Sequence, residues 1–240
     1  SGYTGEGQYS REPGSNGLAL SKDGKLILCQ HGDRKIAAMD APLSDPKPVF
    51  ITLADKHDGK KLNSPNDVVV HSNGELYFTD PPYGLPNQAE DPTKETPYHG
   101  VYKINNNGNV TLLVDSLTRP NGIAFLAGER SLIVANSDPG KAMWYAFDLE
   151  GDKAVNARIF YDASPNLRNG ERGLPDGLRV DSKGNVYATG PGGVWIFNGD
   201  GKVLGRIRLN GAAANCALSD DEKTLFITAD MHLLRVKLRD

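Results

Sequence analysis

Five stretches of this sequence begin with a side chain that carries an oxygen: Asn16-Gly17, Asn66-Asp67, Asn121-Gly122, Asp176-Gly177 and Asn215-Cys216. Their first residues stand 50, 55, 55 and 39 positions apart, and each leads into a short apolar run. Amide and carboxylate oxygens with little charge among them suit a hard divalent cation, Ca2+ above all, or Mg2+ or Mn2+. Zinc's usual preference for His and Cys is not served by such a set. A plainer explanation also applies to each residue singly. Asn and Asp are favoured in the turn ahead of a strand, where their side chains bond nearby backbone amides. The cation reading therefore depends on whether the five side chains share one place.

Other polar residues lie between these stretches. His31 ends a strand-like run, and is either a group at the mouth of a site or a structural histidine. Tyr83 either leans over a substrate or packs against Pro81 and Pro82. Asp80, in Thr79-Asp80-Pro81-Pro82-Tyr83, reads as a turn organiser ahead of a ligand. The segment 84–99 carries Pro86, Pro92, Pro97 and several charges, and is either a lid or an ordinary long connection. Arg168 and Arg172 fall in 164–173, a loop that is solvated or grips an anionic sugar-acid group. Several familiar chemistries are missing: no His-Glu-x-x-His, no Cys-x-x-Cys, no Gly-x-Ser-x-Gly and no phosphate-cradling glycine motif.

The elements that must position these residues repeat. Strand-like runs follow one another with almost no helical pattern, and they fall into groups of four. The groups are 17–21, 26–30, 35–40 and 48–53; 67–71, 75–80, 100–104 and 110–115; 122–126, 131–136, 143–149 and 157–162; 177–181, 185–189, 193–198 and 203–209. A last group, 216–219, 224–229 and 233–238, has three members. Turns such as Asp23-Gly24 and Asn73-Gly74 join the first strand of a group to the second, supplying the positive φ of a tight hairpin. Repeated four-stranded units with variable loops are the signature of an all-β propeller. The whole chain, 1–240, is expected to form one such domain, with 1–14 irregular. In a propeller the first strand of each blade lines a central channel, so the five oxygen-bearing residues are expected to converge there. With five groups and one strand lacking, one N-terminal blade is expected to be missing, five natural blades being the alternative.

Composition narrows the function. The 240 residues are 38% apolar and 24% charged, with 27 Lys and Arg against 30 Asp and Glu, as in an ordinary globular chain. Without a basic excess, neither nucleic acid nor an anionic membrane is an expected partner. No apolar run approaches the roughly 18 residues of a spanning helix. Cys29 and Cys216 are read as buried reduced thiols, a disulfide between them being the alternative. The start of the chain lacks the basic and apolar regions of a secretion signal, so a cytoplasmic location is expected.

Longer phrases carry a family likeness. Leu62-Asn63-Ser64-Pro65-Asn66-Asp67-Val68-Val69-Val70, Leu76-Tyr77-Phe78-Thr79-Asp80-Pro81-Pro82-Tyr83-Gly84, Arg119-Pro120-Asn121-Gly122-Ile123-Ala124-Phe125 and Leu174-Pro175-Asp176-Gly177-Leu178 occur in that order. With them, nearly all of 15–238 resembles the SMP-30/gluconolactonase family, and its bacterial gluconolactonase branch more than the animal regucalcin branch. The resemblance implies a six-bladed, metal-dependent lactonase. It implies that Asn121 and Asp176 ligate the metal and that Asn66 either ligates it or meets the substrate. Ca2+ is the expected ion, with Zn2+, Mn2+ or Mg2+ as alternatives. The family's further acidic ligand lies in a Glu-Gly-Pro motif; Glu6-Gly7-Gln8 and Glu12-Pro13 do not reproduce it.

The expected activity is hydrolysis of a small sugar-acid lactone, with the cation polarising the carbonyl and Asp176 as general base towards water. Direct attack by the Asp176 carboxylate is the variant. Tyr83 and His31 are the expected substrate contacts beside Asn66. Two other readings remain: a propeller that binds calcium or a ligand without turnover, and a hydrolase of other esters, organophosphates included.

Overall fold

The computed structural model describes residues 13–238. The chain divides into two compact units, the first ending at Pro120 and the second beginning at Asn121. The 1–12 stretch, with Glu6-Gly7-Gln8 and Glu12, lies outside the described residues.

In the first unit, β1 (Ser15–Leu20), β2 (Leu26–Gln30), β3 (Lys35–Met39) and β4 (Phe50–Ala54) form one antiparallel sheet in sequence order. A two-residue hairpin follows, β5 (Lys56–His57) with β6 (Lys60–Lys61), which the alternation of side chains did not foretell. The next sheet is β7 (Val68–Val70), β8 (Leu76–Asp80), β9 (Gly100–Ile104) and β10 (Val110–Val114), with a 3-10 turn at Gln88–Glu90 in the long connection. Cys29, Ile36, Val68, Phe78 and Tyr102 pack in one apolar cluster between the sheets. The Phe78 and Tyr102 rings stack at 5.3 Å.

The second unit holds three sheets. They are β11 (Pro120–Phe125), β12 (Ser131–Asp138), β13 (Lys141–Glu150) and β14 (Lys153–Asp162); β15 (Leu178–Val180), β16 (Val186–Gly190), β17 (Gly193–Phe197) and β18 (Val203–Arg208); and β19 (Ala213–Leu218), β20 (Thr224–Ala229) and β21 (His232–Lys237). A short helix, α1 (Ser164–Arg168), opens on a Pro in its first turn, where a missing N–H costs nothing. Trp144, Trp195, Phe197 and Leu178 centre its larger core. Trp144 meets Phe197 edge-on at 5.5 Å, and Trp195 stacks on Phe197 at 5.9 Å.

Every sheet is thus an antiparallel meander, the unit from which propeller blades are made. The five larger sheets match the five groups of the sequence, with ends moved by a few residues. The reason for the match is turn chemistry. Gly24 and Gly74 hold φ at +78° and +97°, where a Cβ would be strained. The last sheet lacks such a glycine, and Glu222 takes φ of +55° instead. Its carboxylate accepts from the Ser182 amide at 2.8 Å and the Ser182 hydroxyl at 2.6 Å, which offsets the strained backbone.

Candidate functional site

In the second unit, strand starts are brought together by glycines. A Cβ at position 122 would collide with the Asp176 carbonyl oxygen, and one at 177 with the Asn215 side chain. Only a residue without a side chain allows this approach, so the second residue of each phrase determines where the first one stands. The Gly177 amide donates to Ala214 O at 2.8 Å, joining β15 to β19.

Asn121 is buried, and its Nδ2 donates to Ser137 Oγ at 2.9 Å. Ser137 in turn donates to the Pro175 carbonyl. That relay fixes the Asn121 amide plane and ties it to the residue preceding Asp176. Asp176 is held by its own backbone, N to Thr189 O at 3.1 Å. Thr189 Oγ1 donates to Gly177 O at 2.9 Å, bracing the same turn from β16. Half-buried, Asp176 lines a cavity of about 520 Å3 together with Leu167, Leu174, Ala213, Thr228 and Asp230. Asn215 behaves differently: its Oδ1 accepts the Cys216 amide at 2.8 Å, so its oxygen serves the local turn. Arg168 and Arg172 are exposed, and the cavity wall near them is made by Leu167, Gly173 and Leu174.

The first unit treats Asn66 in a related way. Its carbonyl accepts the Gly17 amide at 2.6 Å and its own amide donates to Thr79 O at 2.8 Å. The residue is 3% exposed. The neighbouring Asp67 is occupied, with Oδ1 accepting the Val68 amide at 2.9 Å. Asn16 is exposed, and it lines a cavity of about 270 Å3 with Gly14, Ser15 and His31.

His31 is buried, with Nδ1 3.3 Å from the Pro65 carbonyl and its ring against Gly84. Tyr83 is half-buried, and its hydroxyl donates to Arg119 O at 3.2 Å. Asp80 is wholly buried and organises the phrase that carries Asn66: Oδ2 accepts Asn63 N at 2.7 Å and Oδ1 accepts Ser64 N at 2.8 Å. Burial pushes its carboxyl up to about 7, against the pull of those two amides, Arg34 and Lys94. The 84–99 segment is anchored. Asp91 caps Asn87 and Thr93, Arg34 reaches both Leu62 O at 2.7 Å and Thr93 O at 3.1 Å, and Thr96 bonds Asn63.

Among the described residues no group of three His, Cys, Asp or Glu side chains could hold a metal. A cation here would have to be met largely by amide and carbonyl oxygens with few carboxylates, the donor type that the Asn and Asp phrases provide. Sequence patterns did not single out Ser137 or Thr189, because a hydroxyl in a strand has no periodic signature. The glycine that follows Asn121 and Asp176 was the visible trace of this arrangement.

Known proteins share this pattern of strands. The family model described as SMP-30/Gluconolactonase/LRE-like region matches residues 2–230. A gluconolactonase of Zymomonas mobilis is 38% identical over 243 residues, which is 97% of this chain and 65% of that protein. Lactonohydrolase oryL of Aspergillus oryzae is 23% identical over 188 residues, 71% of this chain and 43% of that protein. The chain therefore spans less than two thirds of the length of either curated relative. Among solved structures, a gluconolactonase of Xanthomonas campestris superposes with a TM-score of 0.79 at 32% identity, covering 94% of this chain and 72% of that one. The fold class is the all-β propeller.

Proposed function

Because the chain belongs to the SMP-30/Gluconolactonase/LRE-like family, we propose that it takes part in hydrolysing a small sugar-acid lactone, with Asp176 as the general base. The observation that carries this reading is the placement of Asp176, held by its backbone in the wall of a cavity of about 520 Å3. The cavity has room for a six-membered lactone, and its walls combine apolar and polar groups.

Asn121 and Asp176 are proposed as oxygen ligands for a divalent cation, Ca2+ first, then Zn2+, Mn2+ or Mg2+. Asn66, in the first unit, is proposed as an oxygen donor to metal or substrate, and Tyr83 and His31 as substrate contacts. The donor chemistry fits: these are neutral amides with one carboxylate, and Asn66 and Asn121 are buried. Once bound, such an ion supplies Lewis-acid polarisation of the lactone carbonyl and stabilises its oxyanion. The work of the chain is separate. Asp176 accepts a proton from water as the water oxygen bonds to the carbonyl carbon. It then returns that proton to the ring oxygen as the C–O bond breaks, leaving the open hydroxy acid. Ser137 keeps the Asn121 oxygen in one orientation throughout. Two buried free thiols, Cys29 and Cys216, accord with the cytoplasm as the proposed compartment.

The test is proton release from glucono-1,5-lactone at constant pH, first with chelator and then with Ca2+, Mn2+, Zn2+ or Mg2+ restored. Turnover above the spontaneous rate that vanishes with chelator and returns with one ion is expected. In Asp176→Asn, kcat should fall by about 10²–10⁴, the usual worth of a positioned base. A variant with full activity would sink both the general-base role and direct attack by the carboxylate.

A further inference from the structure

Arg206, in β18, lies over the Trp195 ring with its guanidinium carbon 3.7 Å from the ring centre. Nη1 donates to Glu171 Oε1 at 3.2 Å, and Nη2 donates both to Glu171 Oε2 and to the Pro191 carbonyl at 2.6 Å. The result is a two-pronged ion pair pressed on an indole face, with its side chains only 14% and 23% exposed. Such forks fix geometry as well as charge, which a Lys ammonium would not do. The hydrogen bonds from Arg206 hold the Glu171 carboxyl below the usual carboxylate range, so the pair is charged at neutral pH.

The fork is tied to its surroundings at further points. Asn166 Nδ2 donates to Glu171 Oε1 at 3.3 Å, and the Glu171 amide donates to Asn166 O at 3.2 Å, binding Glu171 to α1. Across the gap, the Gly192 amide donates to Arg172 O at 2.8 Å. Gly192 has φ of +77°, and a Cβ there would come within 2.5 Å of both Arg206 Nη2 and Glu171 Oε2. A glycine is needed at 192 for the backbone and for the room that the fork occupies.

The segment so held carries Leu167, Gly173 and Leu174, all lining the Asp176 cavity. Asp176 itself has other anchors: its amide on Thr189 O, and Ser137 on the carbonyl of Pro175. One set of bonds holds the apolar wall, and another holds the acid. We infer that Glu171 and Arg206 are positioning residues that fix α1 and the loop after it as the substrate-binding wall of the Asp176 cavity, setting affinity without entering the chemistry. The kinetic half of this inference rests on the lactone reading; the structural half does not.

The experiment uses the full chain with Glu171→Ala, Glu171→Gln, Arg206→Ala and Arg206→Lys. Amide hydrogen exchange over 164–174 should speed up by about tenfold or more in the two alanine variants, the loss of one charge-assisted bond, while exchange over 176–190 stays as in the wild type. Glu171→Gln should fall between, since it keeps the length and one accepting oxygen; Arg206→Lys should not restore the wild-type rate. With glucono-1,5-lactone, KM should rise by about tenfold in the alanine variants with kcat within about twofold. Unchanged exchange over 164–174 would overturn the inference. So would faster exchange with an unmoved KM, or a loss confined to kcat. If the wild type turns over no lactone, the functional reading fails, and the exchange rates still decide whether the fork holds the wall.

Discussion

The two units use the same meander but stabilise it with different materials. Among the described residues, the buried polar groups of the first unit include six ionisable ones: His31, Arg34, Asp67, Asp80, Asp91 and Lys103. In the second unit they are Asn121, Asn136, Ser137, Ser164 and Thr189, with no ionisable member. The first unit spends its buried charge on loops. Asp80 gathers the amides of Asn63 and Ser64, and Arg34 and Asp91 gather the 84–99 segment. The second unit has shorter loops to hold, and packs aromatic rings around Trp144 while its strand starts approach through Gly122 and Gly177. The difference teaches that hydrogen bonds to a buried carboxylate can be added to the absence of a Cβ, which sets strand starts close in both units, at Gly17 against Asn66 and Asp67 as at Gly122 and Gly177. The first method responds to pH, and the second does not.

The largest effect that would sharpen this contrast is at Trp144, fully buried against Trp195 and Phe197. Trp144→Ala should cost about 3–5 kcal/mol, and urea midpoints should show the loss to be the same at pH 4.5 and pH 7.5. A cost that varied with pH would break the distinction.

Asp80 supplies the opposite behaviour. Its carboxyl is raised from the ordinary value of 3.8 to about 7, first through burial. The unfolded chain loses this proton near pH 4, whereas the folded chain keeps it until near pH 7. The native state therefore holds more protons between those values, and stability should fall as pH rises from about 4 to about 7, by on the order of a few kcal/mol. Asp80→Asn should flatten that slope while lowering stability at pH 4.5, since its Nδ2 cannot accept an amide. An unchanged slope in urea titrations at several pH values would remove Asp80 as its source.

The smallest effect is at Ser137. Ser137→Ala removes the acceptor of Asn121 Nδ2 and the donor to Pro175, and should cost about 1–2 kcal/mol. Lactone turnover should drop more than this modest change in stability suggests, because Asn121 loses its fixed orientation. Full turnover in a destabilised variant would confine Ser137 to a structural role.

The strands were legible because their runs alternate or are enriched in β-branched and aromatic residues, and four of the five groups are punctuated by Gly-bearing turns, as at Gly24 and Gly74. The short hairpin at 56–61 and the helix at 164–168 were not, being too brief for a period to show. Asn66, Asn121 and Asp176 stood out by their repeated position, yet Asn215 held the same position and serves a turn. Nothing in its spacing separates it from the others; only the partner of its oxygen does.

Composition, turn residues and repeat spacing determined that this chain forms all-β meanders and that certain Asn and Asp residues head their first strands, because local backbone preference and alternation act over a few residues. Tertiary structure alone decided that Ser137 orients Asn121, that Asp80 is buried beneath Asn63 and Ser64, and that Arg206 meets Glu171 over Trp195. Those partners lie between 11 and 35 positions apart in the chain. Their contacts depend on packing between strands and loops that no local pattern of residues encodes.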